Sequence, residues 1–122
     1  MDLDAIRSYC LSFPQATENL QWGDHLCFKV GGKIFAIVGL SGVPQSITLK
    51  CSPEYFAELT EREGIAPAAY VGRYKWVALE SLDVLSDSEL REAISNSYEM
   101  VSAKAKPGRK LLTKRKRKLR AA

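Results

Sequence analysis

The sequence predicts an α+β domain: an antiparallel sheet with helices on one face, in the order α-β-β-β-α-β(β)-α. Three observations predict it. Apolar residues recur at helical spacing near both ends, alternation at period two fills the middle, and helix start signals stand at Ser52 and Ser86.

The elements follow in chain order. Leu3, Ile6, Cys10 and Phe13 recur at steps of three and four, the apolar stripe of an amphipathic helix. Asp2 or Asp4 caps its free N–H groups, and Pro14 stops it. Leu26, Phe28 and Val30 alternate with His25, Cys27 and Lys29; Gly31-Gly32 follows, then Lys33 to Val38. This is a hairpin with a two-residue turn, since glycine tolerates the positive φ that such turns require. Ideal pairing places Leu26, Phe28, Val30, Lys33, Phe35 and Ile37 on one face, the expected core side. Ala36 and Val38 then fall on the outer face with His25, Cys27, Lys29 and Ile34. A third strand runs from Ser46 to Cys51, with Ile47, Leu49 and Cys51 inward and Ser46, Thr48 and Lys50 outward. Ser52-Pro53-Glu54 opens a helix that Gly64 can end. One or two strands lie within Tyr70 to Glu80. Ser86 to Glu89 forms a capping box before a last helix of about five turns through Val101.

Charge divides the chain. Ten Lys or Arg lie between Lys104 and Arg120 with no acid among them, while residues 1–103 hold eight basic residues against all fourteen acids, a net −6. The division predicts a folded unit over residues 1–105 and a basic, flexible arm over 106–122, hinged at Pro107-Gly108. No apolar run reaches the ~18 residues that cross a bilayer, and Met1-Asp2-Leu3-Asp4 is no signal-peptide start. Three widely spaced cysteines fit a reducing cytoplasm rather than a disulfide framework.

Few residues invite chemistry. His25 and Cys27 share a strand face and, with Cys10 or Cys51, form a candidate metal set. A lone histidine and the lack of a Cys-x-x-Cys pair leave them structural. No nucleophile motif surrounds them, and Gly39 to Gly42 lacks the lysine and the length of a phosphate loop. The expectation is therefore no enzyme, no metal and no cofactor. The arm speaks more clearly. Lys114, Arg115, Lys116, Arg117 and Lys118 are five consecutive cations, with Arg109 and Lys110 just before them. Such a run holds polyanions by counterion release, without reading sequence. On the body, Lys50, Arg73 and Trp76 are the candidate contacts; Tyr74 and Trp76 share a strand face with Arg73 and Lys75 interleaved.

The chain also resembles a known family. Trp22-Gly23, Phe28 to Ala36, Ile47 to Lys50, Ala66 to Val77 and Ser97-Tyr98 before Lys104 resemble, in order and spacing over about residues 3 to 106, the MmcQ/YjbR family of small bacterial proteins. The resemblance implies a compact α+β fold, similar to frataxin-like and secretion-chaperone-like folds. It also implies DNA binding, with Lys33, Lys50, Arg73 and Trp76 on motif positions and no catalytic residues to carry over. The basic extension after Lys106 departs from the family pattern. Together these readings predict a nucleic-acid-binding protein of low sequence specificity whose arm supplies most phosphate contacts. The alternative is a chaperone-like module whose acidic body grips a protein partner, without catalysis.

Overall fold

A computed structural model describes residues 1–69 and 71–105. Its elements are α1 (Leu3–Leu11), β1 (Thr17–Gln21), β2 (His25–Val30), β3 (Lys33–Gly39), β4 (Ser46–Lys50), α2 (Pro53–Leu59), β5 (Ile65–Pro67), a 3-10 turn (Gly72–Tyr74), β6 (Trp76–Leu79) and α3 (Asp87–Ala103). The six strands form one antiparallel sheet in the order β1-β2-β3-β4-β6-β5. The α+β class and the one-sided helix layer are as the sequence predicts.

Caps start each helix. The Asp2 carboxylate accepts from the Ala5 N–H, which decides between the two candidate acids. The Ser52 hydroxyl accepts from the Tyr55 N–H, with Pro53 at the first helical position. At α3, Ser86 and Glu89 cap each other's backbone in a complete capping box. The second helix stops at Leu59, earlier than Gly64 suggests; Gly64, at φ +85, instead leads the chain into β5.

The strands correct the sequence reading in three places. The segment Thr17 to Gln21 carries no apolar alternation, so the sequence shows no strand there; yet it pairs with β2 as β1. The hairpin turn is as expected, with Gly31 and Gly32 both at positive φ. Its ideal register fails beyond Ile34. Lys29 stands opposite Ile34 while Phe28 stands opposite Ala36, so Phe35 is an extra residue in β3, a bulge. Phe35 and Ala36 both turn inward, Val38 follows them into the core, and Ile37 moves to the outer face. The third correction lies between Ala66 and Leu79. The first strand there is at 65–67, Gly72 to Tyr74 form a 3-10 turn, and β6 begins only at Trp76.

The helices share one face of this sheet, and α3 lies across β3 and β4. Beside it, α1 joins through the Tyr9 hydroxyl, which donates to the Arg91 carbonyl at 3.2 Å. On the other side the chain after α2 joins through Arg62 and Glu89 at 2.9 Å. Phe13 stacks on Tyr98 at 4.5 Å, and both meet the Phe35 ring edge-on. Phe28, Phe35, Ile47, Leu49, Leu79, Leu90 and Ile94 are fully buried between the layers. Each such side chain contributes on the order of 1.5–3 kcal/mol by leaving water.

One polar side chain sits in this core. Ser97 of α3 is fully buried, and its hydroxyl donates to the Phe35 carbonyl at 2.6 Å and accepts from the Lys50 N–H at 3.1 Å. The bulge separates β3 from β4 at this point, and the hydroxyl joins the two backbone groups that the ladder leaves apart. The Ser97-Tyr98 motif is therefore a fold motif: the neighbouring Tyr98 hydroxyl donates to the Pro14 carbonyl at 2.8 Å.

Candidate nucleic-acid interface

The second face of the sheet carries no helix among the described residues. Its side chains follow from register. One row crosses all six strands: Asn19, Cys27, Ile37, Thr48, Ala78 and Ala66. On one side of it, Thr17, Lys29 and Ile34 align, and Lys50 pairs with Trp76. On the other side lie Gln21, His25, Gly39 and Ser46. None of these residues is an acid. Most acids lie elsewhere, and Asp24 stands at the rim of this face, 2.8 Å from His25 Nδ1. Eight of the fourteen are in or cap the three helices, and Glu18 of β1 points toward them, where Arg7 of α1 holds it at 2.6 Å. The net charge of −6 over residues 1–103 is thus an average over two unlike sides.

Three predicted site residues meet at one corner of this face. Lys50 closes β4, and its ammonium donates to the Tyr74 carbonyl at 3.2 Å and stands 6.0 Å from the Trp76 ring centre. The Arg73 guanidinium lies 4.8 Å from the centre of the Tyr74 ring, which is 53% exposed. Burial lowers the Lys50 pKa, and the like charge of Lys104, just past the end of α3, adds to the lowering. The interleaved strand expected over Arg73 to Trp76 is not formed. Lys75 adopts a left-handed backbone at φ 70, and its ammonium goes to the helix side, 5.0 Å from the Phe56 ring. A 3-10 turn cannot keep the two-residue alternation of a strand. Arg109, Lys110 and Lys114 to Lys118 lie outside the described residues.

A second aromatic corner was not singled out as a site from sequence. Trp22 sits in the turn between β1 and β2 at φ 53, is 65% exposed, and meets His25 edge-on at 5.8 Å. A bulky residue at positive φ is uncommon and costs backbone strain. The motif Trp22-Gly23 is its only sequence signal, since exposure cannot be read from a lone aromatic.

The remaining candidates form no reactive group. Cys10, Cys27 and Cys51 are buried free thiols, and burial pushes Cys10 up to about 12 and Cys51 up to about 11. Such thiols stay protonated near neutral pH and are poor nucleophiles. Among the described residues no cluster of three His, Cys, Asp or Glu could hold a metal ion. The Ser41 hydroxyl donates to Asp24, and that bond, more than the nearby imidazole, holds Asp24 below the usual carboxylate range. His25 Nδ1 lies 2.8 Å from Asp24 Oδ1 but off the line of a hydrogen bond. Serine and histidine thus both face the aspartate, and no nucleophile–base pair arises there. Among the described residues no helix is long and apolar enough to cross a membrane.

Comparison with known proteins agrees with this architecture. The Deinococcus radiodurans protein DR2400, a crystal structure with a DUF419 domain, is similar at 30% identity and a TM-score of 0.76, over 84% of this chain and 79% of that one. A crystal structure of a Pseudomonas syringae protein shares the fold at 21% identity and a TM-score of 0.68, over 83% of this chain and 99% of that one. No curated protein matches the chain. The YjbR family model matches residues 11–100, and the chain belongs to that family.

Proposed function

We propose that this YjbR-family chain binds nucleic acid with low sequence specificity, through its basic arm and the open face of its sheet. One observation carries the reading: ten cations without an acid begin at Lys104, where α3 ends. A polyanion held by the arm would meet fewer carboxylates on the open sheet face than on the helix layer. The arm supplies most of the affinity, and the face orients the ligand.

Fluorescence anisotropy against labelled oligonucleotides over a salt series tests this. If about half of the arm charges meet phosphates, log K falls with log salt at a slope of about −4 to −5. Reversing Lys114 to Lys118 to glutamate should weaken binding by at least about a hundredfold near 50 mM salt. Unchanged binding by that variant rejects the arm.

A second reading has its own observation. The groove between α2 and α3 is lined by Glu54, Glu58, Glu89 and Glu92, with Arg62 paired to Glu89. It offers a cationic polypeptide partner complementary charge. A lysine-rich peptide that binds with micromolar affinity, and no longer binds Glu54→Lys/Glu58→Lys, would favour this interaction module. Absence of such binding leaves nucleic acid as the ligand.

A further inference from the structure

We infer that the open sheet face selects single-stranded over double-stranded nucleic acid, by stacking bases on its two aromatic corners. This rests on the nucleic-acid reading above and assigns it a ligand class. A duplex offers phosphates on its outside and hides its base faces in the stack, whereas a single strand offers both. The arm serves either ligand, because phosphate contacts need only charge. The sheet face is built for the second kind. Tyr74 is 53% and Trp22 65% exposed, while Trp76 points outward from β6 beside the Lys50 ammonium. Exposed rings accept any base, since every base has a π-face, and at the Trp76 corner Lys50 and Arg73 stand ready to take a phosphate between two bases, while Trp22 offers a ring alone.

Distances suit a short strand. Lys50 lies four residues along β4 from Ser46, and the row of Ser46 reaches His25 through Gly39. On ordinary strand geometry the Trp76 and Trp22 corners are then about 20 Å apart across the face. The surface between them carries uncharged hydrogen-bonding side chains, Asn19, Thr48 and Ser46, which meet base edges without repelling phosphate. A second copy of the chain is a poor occupant. Face-to-face packing would bring Lys29 and Lys50 of both copies into one interface whose strand positions hold no acid.

The test uses the full chain and one labelled mixed-sequence oligonucleotide, alone and annealed to its complement, at matched salt. The inference expects the single strand to bind at least about tenfold more tightly. Tyr74→Ala, at an exposed site, should weaken single-strand binding by about 5- to 100-fold and leave duplex binding nearly unchanged. Trp76→Leu should do the same, and Trp76→Phe should restore much of the loss; an unaltered melting temperature checks that each variant folds. Equal affinity for the two forms, untouched by Tyr74→Ala, overturns the inference and leaves the arm-based reading standing. Binding of neither form removes that reading itself. A dimer in sedimentation that Tyr74→Ala dissociates, with no preference for single strands, assigns the face to a second copy and overturns the inference.

Discussion

The two sides of this sheet were built under different rules. The helix side is packed with Phe28, Phe35, Ile47 and Leu49, and its rim holds most of the acids, Asp2, Glu18, Asp87 and Glu89 among them in ion pairs and caps. Among the described residues the strand positions facing the open side hold no carboxylate and carry lysines, amides, hydroxyls and outward rings, with Asp24 at the rim beside His25. Charge summed over the body hides this. A net −6 argues against polyanion binding only if charge is spread evenly, and here eight acids lie in or cap the helices while Glu18 alternates toward them. The lesson is that net charge belongs to a face, not to a chain.

Substitutions can break or sharpen this contrast. The largest effect on stability should come from Phe35→Ala, which empties the centre of the aromatic cluster and should cost about 3–5 kcal/mol by urea unfolding. Ser97→Ala comes next, at about 1–3 kcal/mol, because it strands the Phe35 carbonyl and the Lys50 N–H in a dry interior. That variant also couples the sides. Lys50 loses the anchor of its backbone, so oligonucleotide affinity should fall even though Ser97 lies in the packed layer.

A smaller effect separates the sides by pH. Hydrogen bonds from Arg7, Arg62 and the N-terminal amine hold Glu18, Glu89 and Asp87 below their ordinary values. Folded carboxyls of this kind bind fewer protons than unfolded ones, so stability rises with pH through their titration range. The contribution is present above the ordinary carboxylate range and is lost as pH falls through the depressed folded values. Melting temperature should therefore drop on acidification below about pH 5. Glu18→Gln should flatten part of that drop, and Lys29→Gln on the open side should leave the curve's shape unchanged. The smallest effect is expected from Lys29→Gln itself at neutral pH, within about 0.5 kcal/mol. A larger loss would mean that the open side carries structural weight.

Much of this was legible in the residues. Ser52-Pro53 and Ser86 to Glu89 announce their helices because caps are local chemistry, and Gly31-Gly32 announces its turn for the same reason. Lys50 was placed outward by the alternation of Ile47 and Leu49, which holds. The bulge was not legible. Nothing in Ile34-Phe35-Ala36 says that two neighbours face inward, since a bulge is decided by pairing with β2 and by the Ser97 hydroxyl across the layer. Strand β1 was missed because an edge strand need only supply backbone groups, and its side chains other than Leu20 are polar. Arg73 and Lys75 were misplaced because a 3-10 turn and a left-handed residue interrupt the alternation. The role of Ser97 was hidden because a buried hydroxyl and an exposed one look alike in a helix.

The placement of the rings has an optical consequence. The chain has two tryptophans, and neither lies in the helix layer: Trp76 faces out from β6 and Trp22 stands in the turn beside His25. Tryptophan emission therefore comes from the open side alone, while tyrosines at positions 9, 55 and 98 are confined to the packed side. A molecule settling on the sheet would change the colour or brightness of the protein with no dye attached. Trp22, already in water, would hardly alter its spectrum as the chain unfolds, so the two photophysical signals, one of occupancy and one of denaturation, separate by residue.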